Sequence, residues 1–276
     1  MLEKGLSCSF ELTKEVFEGL KKADIKNVEL SYRPDDIGNI NYQEVSRLSK
    51  EYGVNLWSFH LPFWGYTPID AASHDEDVRN QTVELWKNYI KLAGEIGIKK
   101  FIAHPSAEPK SEDEKIRAKE IEYSMDTLAK VAEYAQTFGA VVCVENLPRT
   151  CLGRNAEELL KITSAHPNLK ICFDTNHLLM QDTFEFIDLA HEKIATLHVS
   201  DYDYVDERHW LPGEGKVDWH KVYNKLISYG YNGAWLYEIG IKTRPNIIKR
   251  SRDLTFEDFE RNANEIFEGK PLTVIG

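Results

Sequence analysis

The feature that most constrains this chain is an alternation repeated eight times, in which a short apolar or β-branched run is followed by an amphipathic stretch. The runs fall near 5–10 (GLSCSF), 27–32 (NVELSY), 54–60 (VNLWSFH), 99–104 (KKFIAH), 140–145 (AVVCVE), 169–174 (LKICFD), 194–199 (IATLHV) and 233–238 (GAWLYE). Helical patterns are predicted between them near 13–22, 42–52, 76–96, 111–138, 155–164, 183–191 and 218–229, with an extra C-terminal helix near 255–268. Within 78–95, the residues Val78, Val83, Leu85, Trp86, Ile90, Leu92 and Ala93, with Ile96 just beyond, recur at close to helical spacing and are expected near one face. Ser111 precedes a run of acids and is expected to cap the helix that follows. Gly97 and Gly139 stand where a helix must end and turn into a strand. Strand-then-helix alternation implies parallel strands with right-handed crossovers, and eight such units favour a closed α/β (β/α)8 TIM barrel over an open doubly wound sheet. No GxGxxG follows the first run, which weighs against a dinucleotide fold. No linker or low-complexity tract interrupts the chain, so residues 1–276 are expected to form a single barrel domain. The tail 241–254 is locally basic and reads as a solvated connection into the last helix.

Bulk properties narrow the function. A net charge of −11 opposes a nucleic-acid-binding surface, although a small phosphorylated substrate needs only one or two local arginines. No apolar run approaches the length of a membrane span, and MLEKGLSCSF lacks the apolar core of a secretory signal. Cys8, Cys143, Cys151 and Cys172 are scattered without a CxxC pair, as free thiols in a reducing compartment would be. A cytoplasmic protein is expected. A homo-oligomer is compatible with all of this.

In a parallel barrel the catalytic groups sit where strands end and loops begin, at the C-terminal face. Here Glu29, His60, His104, Glu145, Asp174, His198 and Glu238 lie at the ends of seven consecutive runs. Counting back by twos from the later ones gives Val141, Cys143, Cys172, Ile194, Thr196, Ala234 and Leu236, which are small or apolar as a barrel interior requires. Cys143 and Cys172 are therefore read as barrel filling. A lone histidine or carboxylate at a strand end is ordinarily a structural group. Seven in one layer are different, because crowded carboxylates repel and lose solvation, and a bound cation relieves both.

These residues sit in motifs that resemble the xylose-isomerase-like barrels, a family containing sugar isomerases, epimerases related to D-tagatose 3-epimerase, and the type IV apurinic endonucleases. The resemblance spans the chain to about residue 240 and is carried by VVCVENLP (141–148), CFDTNH (172–177), TLHVSD (196–201), WLYEIG (235–240) and the loop DERHWLPGEGKVDW (206–219). It implies one divalent metal held by Glu145, Asp174, His198 and Glu238. Three carboxylates and an imidazole suit Mn²⁺, Mg²⁺ or Co²⁺, with Zn²⁺ also compatible. The metal would polarise a substrate carbonyl and stabilise an enediolate, while Glu145 and Glu238 act as paired acid and base from opposite faces. A small sugar, sugar phosphate or polyol-derived ketone is the implied substrate.

Other side chains are candidate contacts. His177, Arg208, His60, His104 and Trp64 are expected to bind substrate, with Phe63 and Tyr66 beside Trp64 as an apolar wall. Lys110 and Arg149 are weaker phosphate candidates, and Glu29 a further polar contact. His209 and Glu207 complete, with His60, His104 and His177, the set that holds extra zincs in the endonuclease-type relatives. Against a zinc hydrolase of that kind, Asn146, Leu147 and Pro148 replace its threonine, alanine and glycine run, and Leu178, Leu179 and Met180 replace its glycines. An inosose dehydratase-like lyase is a second alternative, and a non-catalytic metabolite-binding barrel a third.

Overall fold

The computed structural model describes residues 1–63, 69–243 and 250–276. In chain order the elements are β1 (Lys4–Cys8), α1 (Lys14–Lys22), β2 (Asn27–Leu30), α2 (Pro34–Ile37), α3 (Tyr42–Tyr52), β3 (Asn55–His60), α4 (Glu76–Glu95), β4 (Lys100–Ala103), α5 (Glu114–Gln136), β5 (Val141–Glu145), α6 (Ala156–Thr163), β6 (Leu169–Asp174), α7 (Thr183–Ala190), β7 (Ile194–His198), α8 (Trp219–Ser228), β8 (Trp235–Tyr237) and α9 (Phe256–Phe267). All eight expected strands and all eight expected helices are present, and among the described residues the short α2 and a single 3-10 turn at His191–Lys193 are additions.

The strands are parallel and lie in sequence order from β1 to β7, with β8 paired to β1. The ring closes between β7 and β8. There the Val199 N–H donates to the Leu236 carbonyl (2.8 Å) and the Glu238 N–H donates to the Val199 carbonyl (3.1 Å). The chain is thus a (β/α)8 TIM barrel with α9 added after the last strand.

Alternation along each strand sorts its residues between two cores. On β5, Val142 and Val144 join the large core between sheet and helices, whereas Cys143 packs with Ile102 and Cys172 in a small buried cluster of its own. The next residues up on that inner parity are His104, Glu145 and Asp174. Near the other end the barrel is tight. A Cβ on Gly5 would come within 3.3 Å of the Asn27 and Leu236 side chains, so a glycine lets those strands approach.

Two expectations change. Leu92 on α4 is 40% exposed, because the buried stripe is the narrower set Thr82, Val83, Trp86, Ile90, Ala93 and Gly94. Asp113 rather than Ser111 caps α5, accepting from the Lys115 and Ile116 N–H groups at 3.0 and 3.1 Å. The carboxylate lies next to the first turn, and Ser111 instead accepts the Asp113 N–H (3.2 Å). Gly97 and Gly139 do turn helix into strand, at φ of 99° and 62°. All four cysteines are free and buried. Among the described residues no helix is long and apolar enough to cross a membrane.

Candidate active site and metal centre

Four strand ends bring their side chains to one point. Glu145 ends β5, Asp174 ends β6, His198 ends β7 and Glu238 follows β8; each offers a ligating atom, and all four atoms lie within 4.8 Å of one another. Register explains the convergence, since Asp174 is the direct partner of His198 and the β7–β8 closure anchors Glu238 through its own N–H. Glu145, Asp174 and His198 are almost wholly buried, and Glu238 keeps 22% of its side chain exposed toward the mouth.

Glu145 is the hub. Its Oε1 lies 3.0 Å from His198 Nδ1, and its Oε2 lies 3.2 Å from both His60 Nε2 and His104 Nε2. Burial alone would raise its pKa, but the His198 charge and hydrogen bonds from three imidazoles outweigh it and hold Glu145 well below the usual range. Asp174 goes the other way. Burial, reinforced by the Glu238 and Glu145 charges, pushes it well above the usual range despite His177 and His198. Its Oδ1 accepts the Asn176 N–H at 2.6 Å, while its Oδ2 is buried with no hydrogen-bond partner. The nearest nitrogens, Nδ1 of His177 and of His198, stand 3.5 and 3.8 Å away, and a buried acceptor without a hydrogen bond is destabilising, the more so beside two further carboxylates. A hard divalent cation at this point would satisfy that oxygen and offset the repulsion, so the donor set fits a metal.

Histidines extend the cluster. His60 donates from Nδ1 to the Leu61 carbonyl at 2.9 Å and from Nε2 to Glu145 Oε2 at 3.2 Å. His60, His104 and Glu145 also form a group with ligand atoms within 4.8 Å. Burial disfavours protonation of both rings; the Glu145 contact overcomes it at His60, which is raised, but not at His104, which is lowered. His177 Nδ1–H donates to the Asn146 carbonyl (2.9 Å) and its Nε2 meets Glu207 Oε1 (3.2 Å). Against burial, the Asp174 charge and the Glu207 contact raise His177 to about 10, and Glu207 falls to about 2 as His177 outweighs its own burial. His209, at φ 50°, donates from Nδ1 to the Glu238 carbonyl at 3.2 Å.

These groups floor a cavity of about 470 Å³. Phe63 forms one wall, stacked on His104 with ring centroids 4.0 Å apart, while Trp64 and Tyr66 lie outside the described residues. The expected phosphate candidates are all occupied. Arg149 pairs with Glu108, Asp206 and Glu207, Lys110 with Asp70, and Arg208 with Asp203. Arg208 lines a neighbouring cavity of about 530 Å³, which shares Phe63, Glu207, His209 and Glu238 with the first.

Three positioning residues are absent from the sequence reading. Asn146 ties β5 to β6, donating from Nδ2 to the Asp174 carbonyl and accepting the Asp174 N–H, both at 2.8 Å. Asn176 Oδ1 accepts the N–H groups of Arg208 and His209 (2.9 and 3.2 Å), which fixes where that loop crosses the mouth. Asp201 gathers the PGEG turn, accepting from Gly213, Gly215, Val217 and Trp219. The sequence marks them only as polar side chains one to three residues after a strand-end ligand.

Comparison with known proteins agrees with the architecture. The family model described as a xylose isomerase-like TIM barrel matches residues 17–257. An uncharacterised protein of Methanocaldococcus jannaschii is 31% identical over 204 residues, 71% of this chain and 67% of that one. The fructoselysine 3-epimerase of Shigella flexneri is 24% identical over 197 residues, covering 66% and 69%. The crystal structure of a D-tagatose 3-epimerase-like protein superposes with a TM-score of 0.80 over 97% of both chains, at 23% identity.

Proposed function

The chain belongs to the xylose isomerase-like TIM barrel family, and from that membership and its site we propose that it is a divalent-metal-dependent epimerase or isomerase acting on a small ketose or related sugar. The observation that carries the reading is the convergence of Glu145, Asp174, His198 and Glu238, with Asp174 Oδ2 buried and without a hydrogen bond. Those four would hold one Mn²⁺, Mg²⁺, Co²⁺ or Zn²⁺, which when bound would polarise a substrate carbonyl and acidify the neighbouring C–H.

The rest falls to the chain's own side chains. Glu145 and Glu238 come from strands three apart in the ring, so their carboxylates can address opposite faces of a sugar carbon. One takes the proton and the other returns it, inverting the centre; return to the neighbouring carbon would give isomerisation instead. His177 keeps its Nδ1–H on the Asn146 carbonyl, and its Nε2–H, which rests on Glu207, would pass to a substrate oxygen on binding. His60 and His104 support the Glu145 carboxylate from the side away from His198. Phe63 offers an apolar face to the sugar's C–H groups. The 3-epimerase named among the relatives acts at such a carbon, which favours epimerisation for this chain.

The test is incubation of the metal-loaded protein with a panel of ketoses and aldoses, free and phosphorylated, in D2O. Deuterium is expected at the carbon next to the carbonyl of one of them, with an epimer or isomer appearing alongside. Product without solvent hydrogen, or no turnover of any sugar, would overturn the two-glutamate reading. A second reading is favoured by the His60–His104–Glu145 group and by the pairing of His177 with Glu207, since both could hold further ions, as in a zinc hydrolase. Three metals per chain by mass spectrometry, together with cleavage of abasic DNA, would put that reading first.

A further inference from the structure

Below the four convergent side chains lies a carboxylate that the proposed chemistry does not use. Glu29, on β2, is fully buried inside the barrel. Ser7 Oγ on β1 donates to its Oε1 at 2.9 Å and Ser58 Oγ on β3 donates to its Oε2 at 2.7 Å. The remaining contact runs upward, with His198 Nε2 3.0 Å from Oε1. The β2–β3 register shifts between Val28 and Glu29, which brings Glu29 opposite Ser58.

We propose that Glu29 is a positioning residue for the metal centre, fixing the ring orientation and tautomer of His198. The proposal rests on the metal reading above and deepens it. The imidazole has two nitrogens with different surroundings. Nδ1 faces Glu145, Asp174 and Glu238 at 3.0, 3.8 and 3.6 Å, while Nε2 meets Glu29 at 3.0 Å, and the Cys172 thiol also lies against the ring. A carboxylate accepts but does not donate, so Glu29 calls for the proton on Nε2 and leaves the Nδ1 lone pair aimed at the centre. The opposite tautomer would point an N–H at the metal position and remove one ligand. Charge on the accepting carboxylate also makes the ring a stronger donor to a cation.

Packing alone gives no reason for this group. The side chains that meet it are two hydroxyls and an imidazole, with the Cys8 and Cys143 thiols nearby, and a buried carboxylate held in that way is hard to desolvate. Two serines from the flanking strands hold it in one orientation, which is what control over the ring requires.

The experiment is calorimetric titration of the metal-stripped protein with Co²⁺, comparing wild type, Glu29→Gln and Glu29→Ala. Visible Co²⁺ absorption and the melting temperature of the stripped proteins are recorded alongside. Glutamine keeps the size and an accepting oxygen but can equally turn its amide toward His198, so the charge and the tautomer control go while the packing stays. Glu29→Gln is expected to melt within a few degrees of wild type when stripped, yet to bind Co²⁺ about ten- to a hundredfold more weakly. Its Co²⁺ spectrum should shift, and Glu29→Ala should bind more weakly still. A merely structural role would lower the melting temperature of the stripped protein and leave affinity and spectrum unchanged, and that result overturns the proposal. A wild type that takes up no Co²⁺ overturns the metal reading as well, whereas equal binding by wild type and Glu29→Gln overturns the positioning role alone.

Discussion

At the scale of single residues, Glu145 and Glu238 differ in what surrounds them. Glu145 is buried among three imidazoles, while Glu238 stays partly open to the cavity and carries a milder downward shift set by His198 against its own burial. A carboxylate held firmly ionised is a weak base, so its use depends on a substrate whose C–H has been acidified. Replacing either glutamate by glutamine keeps a ligating oxygen and removes the proton acceptor. Glu145→Gln and Glu238→Gln should each fold, lose metal affinity only in part, and lower turnover by roughly a hundredfold or more. Steady-state kinetics on metal-saturated variants checks this, and variants retaining most activity would exclude the paired role. The ligand candidates were legible because each terminates an apolar run. Asn146 and Asn176 were not, since their work is done through backbone groups of segments about thirty residues away, which no local spacing records. Nor did the sequence show that Arg208 pairs with Asp203 within its own loop.

At the scale of elements, the strands and helices were legible to within a few residues because parallel strands covered on both faces leave dense apolar runs. Loops leave no such trace. The segment between β7 and α8 is organised by one side chain: Asp201 Oδ2 accepts from Gly213, Gly215 and Trp219 Nε1 at 2.8–2.9 Å, and Oδ1 accepts from Tyr202 and Val217. Gly215 passes so close that a Cβ there would lie 2.3 Å from Asp201 Oδ1 and from the Tyr202 carbonyl. Within the same turn Glu214 forms a two-point pair with Arg250, at 2.7 and 2.8 Å. Asp201→Asn turns an accepting oxygen into an NH2 that faces at least two N–H donors, and should destabilise the protein by about 2 kcal/mol or more. Gly215→Ala should also lower the melting temperature and displace Glu207 and His209 at the mouth. Thermal melts measure both, and an unchanged transition in either variant would mean the loop holds its shape by other contacts.

At the scale of the whole molecule, the barrel holds three carboxylates of unlike proton affinity at one point, and a ligand bound only by the folded form must stabilise it. Metal at a hundred times its dissociation constant should add about 2.7 kcal/mol. For a chain of this size that corresponds to a rise of several degrees in melting temperature, reversed by chelator. A differential scan with and without EDTA tests it, and identical traces would argue against a tight site. The alternation that made the barrel legible could not show how the ring closes, because the Val199–Tyr237 bridge across the seam joins residues whose pairing no local pattern records.

That seam also ties the completeness of the site to closure of the ring. The four convergent side chains all come from the second half of the chain, between positions 145 and 238, and the last is carried by the strand that closes the ring. The four groups are therefore complete only in the closed ring, whatever the earlier strands have done. An ion that needed all four would be held only after closure, so the strength of its binding would report on the integrity of the seam.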